Sequence, residues 1–400
     1  MSPAEQQIEL LVDIYSALHP AGGVGRYARH VCDALRHGSG LVPWRACSPR
    51  GYGRRARERY PEAAHRTLAV SWPELFLLVT AGARVGWRFD RLYGRPSLFH
   101  SPLGFGPRFR DARLLITIHD LTFLDHPGWH PRRTALFLGL AVPAAARDAA
   151  RVFCDSEHMR RRVIAELGVP ADRVVTLAPP LAPRFRPLAE TQALARVRTR
   201  FGLEAPFVLH VGTLEPRKNH VTLIEAFERM RRAGFPGTLA LVGRDGWHTR
   251  SIAARLERSP ERGAILRIQD ADDDDLVALY SACAVNAFPS LAEGFGYPVL
   301  EGMACGAPSV TSEDPALLEL AAGYAPAVPA RDAGALADAL LGAWRDPDVR
   351  ARARALGPPR AATYGFERWA TRLLACYREE MAAVDAGRGG RKSAARATAP

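Results

Sequence analysis

The stretch "FVLHVGTLEPRKNHVTLIEAF", residues 207–227, contains one strand, one loop and one helix in succession. An apolar run ends at Gly212, and we expect a helix to begin near Asn219, a residue type that favours helix N-caps. The apolar positions then recur at helical spacing on one face, at Val221, Ile224, Phe227 and Met230. A strand followed by an amphipathic helix is the repeating unit of a parallel sheet covered by helices.

This alternation of strand and helix recurs in both halves of the 400-residue chain. In the first half the predicted strands are "IELLVDI", "SLFHSP", "LLITIHD", "RVFCDS" and "VVTLAP". In the second half they are "FVLHVGT", "TLALVG", "AILRI", "AVNAFPS" and "PSVTS". Between the two sets, "APPLAPRFRPLAE" at residues 178–190 holds four prolines and predicts a linker.

The pattern predicts an α/β protein of two facing Rossmann-like domains, residues 1–182 and 183–364. Ligands of open α/β sheets bind outside the carboxyl ends of the strands, so we expect the active site in the cleft between the domains. The stretch "FERWATRLLACY" predicts a helix with one apolar face at residues 365–384, which either caps the second domain or packs back on the first. Residues 385–400 are basic and rich in small residues, which predicts a disordered tail.

Cysteine usage and hydropathy favour a soluble, cytoplasmic protein. The six cysteines form no C-x-x-C pair, which fits a reducing compartment. The polar first seven residues and the interruption of the next apolar run by Asp13 predict no signal peptide. The longest apolar runs are shorter than the roughly 18 to 20 residues of a spanning helix.

The net charge of +12 raises the question of a polyanionic partner. Thirteen arginines and five acids lie between residues 50 and 113, beside apolar runs such as "WPELFLLV". Solvated arginine faces explain this excess most simply, and the alternative is peripheral contact with an anionic membrane at its inner face. Since no zinc-finger spacing, RNP-like motif or basic region with heptads occurs, we expect no nucleic-acid partner.

Two cations follow the strand that ends at Gly212. Arg217 and Lys218 lie at the predicted start of the next helix, where backbone N–H groups and the helix dipole favour anions. Cationic side chains at that place add charge-assisted hydrogen bonds. The pair therefore predicts a diphosphate site, with solvated loop charge as the alternative.

Two glutamates frame a glycine-rich turn in "PSLAEGFGYPVLEGMACG". Glu293 precedes the turn, and Glu301 lies eight residues later on the helix that the turn opens. Glutamate is rarely buried without a partner, so the pair is untypical of a core. The glycines allow close backbone approach, so the N–H groups of Phe295 and Gly296 can reach sugar hydroxyls while the glutamates accept from others. The alternative is an ordinary helix with glutamate in its first turns.

A histidine and an aspartate close a strand of the first domain in "LLITIHDLTFLDHP". His119 and Asp120 lie at the strand end where α/β enzymes place function, although a structural role is the alternative. His126 and His130 have the i, i+4 spacing of a metal pair, but a Pro-Gly step between them disfavours a helix. We therefore predict no metal site there.

The stretch "GGVGRYARH" fits the dinucleotide fingerprint G-x-G-x-x-A through Gly23 and Gly25. A dinucleotide-dependent oxidoreductase is therefore one alternative. However, "YSALHPA" separates the loop from the preceding strand, and "LVPWRACSPR" offers no acid for a ribose. These departures favour a phosphate-proximal glycine loop that opens a helix.

Together these stretches resemble retaining glycosyltransferases of family 4, whose B-type fold has two facing Rossmann-like domains. The most specific signal is E-x7-E, from Glu293 to Glu301, supported by "VGTLEPRKN", "ITIHDLTFLDHP" and "GGVGRYARH". "VGTLEPRKN" with "HDLTFLDHP" is most similar to the mannosyltransferase-B-like subgroup, many of whose members build bacterial O-polysaccharides. The resemblance extends from about Leu10 to Tyr377.

The resemblance implies a role for each matching donor residue. Lys218 and Arg217 would hold the donor diphosphate, Glu301 would bind the ribose hydroxyls, and Gly23 and Gly25 would let the first loop approach the diphosphate.

Other matching residues would contact the sugar or the acceptor. Glu293 and the amides of Phe295 and Gly296 would grip the sugar, and His119 would approach it from the N-terminal domain. The acceptor-side candidates are Arg26, Tyr27 and Asp120.

The resemblance also implies a reaction. A hexosyl group, with mannosyl favoured, would pass with retention from a nucleoside diphosphate sugar to a glycan, lipid-linked or small-molecule acceptor. No cofactor or metal is expected, since cationic groups and helix dipoles offset the charge of the leaving nucleotide. A non-catalytic relative in a glycan-assembly complex is the other alternative.

The sequence departs from the family pattern in two places. Thr213 stands where many members carry an arginine, so Arg217 would supply that charge. The segment "LRIQDADDDDL" lacks the usual glycine near the nucleobase, which leaves the donor base open. Its Asp270 and Asp272 have D-x-D spacing, which we interpret as acidic capping of the next helix, with metal binding as the alternative.

Overall fold

The computed structural model describes residues 8–19, 22–38 and 41–397, without the side chains of 83, 84 and 389–397. The chain divides into two compact units. Unit 1 comprises Met1–His119, Arg133–Pro179 and Glu367–Pro400, and unit 2 comprises Asp120–Arg132 and Pro180–Phe366. The division at Pro179 and Pro180 lies inside the proline-rich linker expected from the sequence, whereas the grouping of residues 120–132 with unit 2 was not expected.

Unit 1 contains one parallel sheet, which has seven strands in the described part of the chain, in the order β3-β2-β1-β4-β5-β6-β7. The strands are β1 Leu10–Asp13, β2 Trp44–Ser48, β3 Ala64–Thr67, β4 Leu98–Ser101, β5 Arg113–Ile118, β6 Arg151–Cys154 and β7 Val174–Thr176. β1 and β4 are buried along their whole length, as expected of central parallel strands. β2 and β3 were not predicted, because the edge strand β3 has no buried residue and β2, between β3 and β1, begins with the partly buried Trp44 and Arg45.

Helices cover the sheet of unit 1. They are α1 Gly23–His37, α2 Gly53–Arg59, α3 Trp72–Val85, α5 Arg132–Asp148 and α6 Glu157–Leu167, whereas α4 Thr122–Asp125 belongs to unit 2. α1 buries Tyr27, Val31 and Leu35 at i, i+4 and i+8, which is the apolar stripe of a surface helix.

Unit 2 contains a second parallel sheet, with six strands among the described residues, in the order β10-β9-β8-β11-β12-β13. Its strands are β8 Phe207–Val211, β9 Thr238–Val242, β10 Ile265–Ile268, β11 Val285–Phe288, β12 Ser309–Ser312 and β13 Ala327–Val328. Its other helices are α7 Glu190–Phe201, α8 His220–Arg232, α9 Arg250–Glu257, α10 Asp273–Ala282, α11 Tyr297–Ala304, α12 Pro315–Ala321, α13 Ala333–Arg345 and α14 Pro347–Ala361. Two parallel sheets with helices confirm the predicted two-domain α/β fold.

The core of unit 2 joins α8 to the sheet. Ile224, Phe227 and Met230 are fully buried in one cluster with strand residues and with Leu336 and Leu340 of α13. Each such side chain contributes about 1.5–3 kcal/mol through the loss of apolar surface to water. This packing fixes the start of α8 at the carboxyl end of β8.

The C-terminal helix α15, Phe366–Ala397, is part of unit 1 from Glu367 onward. Its residues Trp369, Leu373 and Tyr377 are buried at helical spacing. The helix continues where we expected a disordered tail from residue 385. Alanine and arginine favour helix strongly enough to extend it despite several glycines.

Smaller expectations concern cysteines, capping and membranes. All six cysteines are free thiols. Asp272 caps α10 by accepting from the Asp275 amide at 2.7 Å, as the acidic capping interpretation predicts. Among the described residues, no helix has the length and apolar character needed to cross a bilayer.

Candidate active site

The loop after β8 carries the two predicted cations on a short 3-10 turn, Pro216–Lys218. Asn219 follows with φ of 59°, a left-handed conformation that asparagine tolerates. Contrary to expectation, its side chain does not cap α8: it donates to the Pro289 carbonyl at 2.9 Å and accepts from the Thr222 hydroxyl at 2.7 Å. The asparagine therefore ties the loop after β8 to the loop after β11, which is the neighbouring strand.

Glu293 lies between the two cations. Its carboxylate accepts from Arg217 Nη1 at 2.5 Å and from Lys218 Nζ at 2.5 Å, and its side chain is only 7% exposed. Burial alone raises the pKa of this carboxyl, but the charges of Arg217 and Lys218 outweigh burial and lower the pKa to about 2. Glu293 is therefore an anion at any physiological pH.

The cations differ in their surroundings. Arg217 also pairs with Glu215 at 2.9 Å. Burial lowers the pKa of its guanidinium, but the carboxylates of Glu293 and Glu215 outweigh burial and raise the pKa. Burial and the neighbouring Arg217 lower the pKa of Lys218. Lys218 is one of only two lysines in the sequence, the other being Lys392. The Lys218 ammonium is a compact point charge, whereas the Arg217 guanidinium is planar and can donate two parallel hydrogen bonds, so the two side chains bind anions differently.

A half-buried aspartate anchors the backbone of Glu293. Asp314 accepts from the Glu293 amide at 3.2 Å and from the amides of Ala316 and Leu317 at the start of α12. Burial raises the pKa of Asp314 to about 6 despite these hydrogen bonds. This capping fixes the loop after β11 to the start of α12.

The second glutamate of the motif lies inside α11. Glu301 is 2% exposed and accepts from the Tyr280 hydroxyl at 3.1 Å. α11 starts after Gly296, whose φ of 113° requires glycine and where a Cβ atom would lie 2.6 Å from Leu317. Phe295 packs edge-on against Tyr297 with ring centroids 5.6 Å apart. The turn between the two glutamates is therefore sterically fixed.

His119 and Asp120 are neighbours in sequence but belong to different units. In unit 1, His119 Nδ1 lies 2.7 Å from Asp155 Oδ2, and Nε2 lies 2.9 Å from the Pro102 carbonyl. Both oxygens can only accept, so the imidazolium form satisfies both contacts. In unit 2, Asp120 accepts from the amide and hydroxyl of Thr122, and its pKa is lowered against the effect of burial, chiefly by the charge of Arg217.

The glycine loop brings α1 against the preceding turn. A Cβ atom on Gly25 would lie 2.9 Å from the Ser16 carbonyl, so the close approach requires glycine, and Gly23 is the first residue of α1. Arg26 is half-buried on this helix. Tyr27 is fully buried, which corrects our expectation that it contacts an acceptor.

Two family models match consecutive parts of the chain. The model described as "Glycosyltransferase Family 4" matches residues 21–183, and "Glycosyl transferases group 1" matches residues 192–357. The chain belongs to this glycosyltransferase family. Its membership removes the oxidoreductase alternative that the glycine pattern leaves open.

Known proteins similar to this glycosyltransferase agree with the assignment. It is 28% identical over 284 residues to "O-antigen chain mannosyltransferase B" of Escherichia coli, which covers 70% of this chain and 74% of that protein. Sucrose-phosphate synthase from Thermosynechococcus elongatus is a structural neighbour with a TM-score of 0.74 at 22% identity, covering 94% of this chain and 100% of the other. The Anabaena protein HepE, solved with UDP-glucose, has a TM-score of 0.72 at 17% identity, covering 93% and 100%. The structural neighbours show that the glycosyltransferase has the B-type fold.

Four polar residues of the glycosyltransferase were not singled out from its sequence. They are Asp155, Glu215, Tyr280 and Asp314. Asp155 directly follows the apolar strand β6, a signal that could have been used, and Glu215 stands in the quoted loop itself. Tyr280 and Asp314 gave no signal, since their partners lie 21 residues away in each case.

The arrangement in unit 2 of the glycosyltransferase can bind an anion. Two cations, a helix start and one buried carboxylate lie at the carboxyl ends of the adjacent strands β8 and β11. Among the described residues, no group of three or more His, Cys, Asp or Glu could hold a metal ion.

Proposed function

We propose that this glycosyltransferase moves a hexosyl group from a nucleoside diphosphate sugar to a glycan, lipid-linked or small-molecule acceptor, with retention at the anomeric carbon. The observation that carries the proposal is Glu293 held between Arg217 and Lys218, eight residues before Glu301. The similarity to a mannosyltransferase of O-antigen chains supports mannose as the sugar.

In this proposal the two cations bind the donor diphosphate. A diphosphate brings more negative charge than the Glu293 carboxylate, so it competes for Arg217 and Lys218 and leaves Glu293 able to accept from sugar hydroxyls. The same cations stabilise the leaving nucleotide as the glycosidic bond breaks, so the reaction needs no metal. Gly23 and Gly25 give the diphosphate access to backbone amides of the first loop.

The remaining residues contact the ribose, the sugar and the acceptor. Glu301 accepts from the ribose hydroxyls. Glu293 with the amides of Phe295 and Gly296 binds the sugar, and His119 approaches it. Arg26 and Asp120 remain acceptor-side candidates, both carrying charge on half-buried side chains.

Retention follows from attack on the same face from which the nucleotide leaves. The bond from the anomeric carbon to the donor phosphate oxygen breaks through an oxocarbenium-like state while the acceptor oxygen forms its bond. The acceptor proton passes to the leaving phosphate oxygen, so atoms and charge balance without a further base. The cations beside the phosphate stabilise this charge redistribution.

A cytoplasmic position with peripheral contact to an anionic membrane completes the proposal. Leu77 and Val85 of α3 and the following Trp87 are 68%, 62% and 52% exposed, in the arginine-rich part of unit 1. Exposed apolar side chains among arginines suit a lipid surface with anionic headgroups. Co-sedimentation with anionic vesicles but not with neutral vesicles is the expected result.

Donor binding is testable through the scarcity of lysine. Isotope-labelled lysine gives two sets of side-chain NMR signals, and the Lys392→Arg variant assigns the Lys218 set. Titration with UDP-, GDP- and dTDP-sugars should shift the Lys218 signals and raise the melting temperature for the true donor. Product formation is then followed with that donor and candidate acceptors.

The matched control is Glu228→Gln, which alters a buried glutamate of unit 2 that pairs with Arg255 at 2.6 Å, outside the site. It should leave the donor response unchanged. No Lys218 shift with any donor would overturn the proposal, whereas donor binding without turnover would favour the non-catalytic relative.

A further inference from the structure

A continuous chain of hydrogen bonds crosses the core of unit 1. The Tyr377 hydroxyl lies 2.6 Å from His100 Nδ1, and His100 Nε2 lies 3.1 Å from Thr117 Oγ1. The Thr117 hydroxyl donates to the Tyr27 hydroxyl oxygen at 3.1 Å. All four side chains have 0% exposure. The chain therefore connects α15 to α1 through β4 and β5 without water.

The direction of the hydrogen bonds follows from the chemistry of each group. The Thr117 hydrogen is used toward Tyr27, so Thr117 accepts from His100, and His100 carries its proton on Nε2. Burial and the nearby His119 lower the pKa of His100 to about 3, so its imidazole is neutral and carries a single proton. Because that proton is on Nε2, Nδ1 is unprotonated. Nδ1 can then only accept, and Tyr377 is its donor. Each group donates to the next, from Tyr377 to Tyr27.

The chain ends against His119. The Tyr27 ring meets the His119 ring edge-on, with centroids 4.9 Å apart and an interplanar angle of 77°. On another side, Tyr27 meets Trp369 of α15 with centroids 5.7 Å apart. Asp155 and Pro102 hold the two ring nitrogens of His119, as described above. Tyr27 adds an aromatic contact to the imidazole ring.

A buried chain of polar groups costs more free energy than apolar packing as a means of attaching a helix. Apolar residues of α15 such as Leu373 already pack in the core, and a buried polar network is tolerated only when every member is satisfied. Directional bonds specify one position of a side chain, whereas apolar contacts tolerate shifts. The bonds therefore fix the Tyr27 ring more tightly than packing alone.

We propose that Tyr377 is a positioning residue: its hydroxyl, acting through His100 and Thr117, fixes the Tyr27 ring and thereby the orientation of the His119 imidazole. The C-terminal helix thus completes the surroundings of a site residue that lies more than 200 positions earlier in the chain. The inference rests on the proposed function only in assigning His119 to the sugar.

Three substitutions test the chain of hydrogen bonds. Tyr377→Phe and Thr117→Val each remove one hydroxyl with little change of shape, whereas Thr117→Ser keeps the hydroxyl. The first two should lower kcat about fivefold, the scale of one lost neutral hydrogen bond, with the donor KM unchanged. Thr117→Ser should retain the wild-type kcat. Tyr93→Phe, which alters another buried tyrosine of unit 1, is the matched control.

A second readout does not depend on turnover. Ring 15N signals of labelled histidine report the tautomer of His100 and the environment of His119. In Tyr377→Phe and Thr117→Val the His119 signals should shift, while in Tyr93→Phe and Thr117→Ser they should match the wild type.

Unchanged His119 signals in both hydroxyl-deletion variants, or a kcat no lower than that of Tyr93→Phe, would overturn the positioning role. If the His119 signals shift as expected in the two hydroxyl-deletion variants, but the wild-type protein transfers no sugar, the result would instead contradict the proposed function.

Discussion

Two buried glutamates, one in each unit, are each held by two cations, yet they serve different purposes. Glu293 is paired with Arg217 and Lys218, and Glu380 of α15 is paired with Arg113 at 2.6 Å and with Arg151 at 2.8 Å. The side chains of the two glutamates are 7% and 3% exposed. The same chemistry therefore occurs in both units.

The two clusters lie at opposite ends of the strands: one at the amino ends in its sheet, and the other at the carboxyl ends in its sheet. Arg113 and Arg151 are the first residues of β5 and β6, at the amino edge, where α/β folds do not bind ligands. Arg217 and Lys218 follow the carboxyl end of β8, and Glu293 follows that of β11. Position in the sheet, and not the number of charges, distinguishes an attachment point from a candidate catalytic site.

The largest effect on stability should come from Glu380→Ala. The substitution leaves two arginines without their shared carboxylate, which should lower the free energy of unfolding of unit 1 by about 3 kcal/mol. Denaturant titration measures the loss. Glu379→Ala is the control, since Glu379, the neighbour of Glu380 on α15, is 62% exposed and meets Arg151 at 3.2 Å. Equal losses in both variants would contradict the structural role of Glu380.

Substitutions in the other cluster should act on catalysis. Glu293→Ala and Lys218→Ala should each raise the barrier to transfer by about 2 kcal/mol or more, roughly 30-fold in rate, because a directed charge is lost. Both proteins should remain folded by circular dichroism. Initial-rate measurements with the identified donor provide the test, with Glu228→Gln as the buried control. Wild-type rates in both variants would refute the assignment of the site.

Acid should weaken unit 2 through Glu293. Its pKa in the folded protein is about 2, against an ordinary value of 4.5, so its stabilising contribution is complete above pH 4.5 and is lost as the pH falls toward 2. The slope from this one group is at most about 1.4 kcal/mol per pH unit. Denaturant titrations between pH 5 and pH 2, roughly the range of this titration, should show a shallower slope for Glu293→Gln. Parallel profiles for the two proteins would exclude the charge pairing.

An exposed ion pair should contribute almost nothing. Arg198 and Glu204 lie 2.7 Å apart, but their side chains are 68% and 66% exposed. Glu204→Gln should therefore change the free energy of unfolding by less than about 0.5 kcal/mol, measured by denaturant titration. A loss comparable to that of Glu380→Ala would mean that burial does not decide the strength of these pairs.

Local motifs could be predicted from the sequence because their partners lie in neighbouring loops. Arg217 and Lys218 follow one strand and Glu293 follows the next strand of the sheet, so the rule for carboxyl ends of parallel strands brought them together. Their roles in binding a donor stay predictions.

Contacts between distant parts of the chain could not be predicted. His100 and Tyr377 are 277 positions apart, and Arg113 and Glu380 are 267 positions apart. Hydrophobic periodicity identifies the apolar face of α15 but says nothing about the polar partners of that face. Tyr27 is a different case: its spacing with Val31 and Leu35 already indicated a buried position, which the glycine motif obscured.

The dependence of unit 1 on α15 sets an order of events during synthesis on the ribosome. The last strand of unit 1 ends at Thr176, but the helix that supplies Tyr377 and Glu380 begins only at Phe366. At roughly 5 to 20 residues per second, about 10 to 40 seconds separate their emergence. Apart from residues 120–132, which are made earlier, unit 2 is made within that interval. The second half of this protein can therefore reach its native form before the first half, which lacks α15 until residues 366–397 have been made.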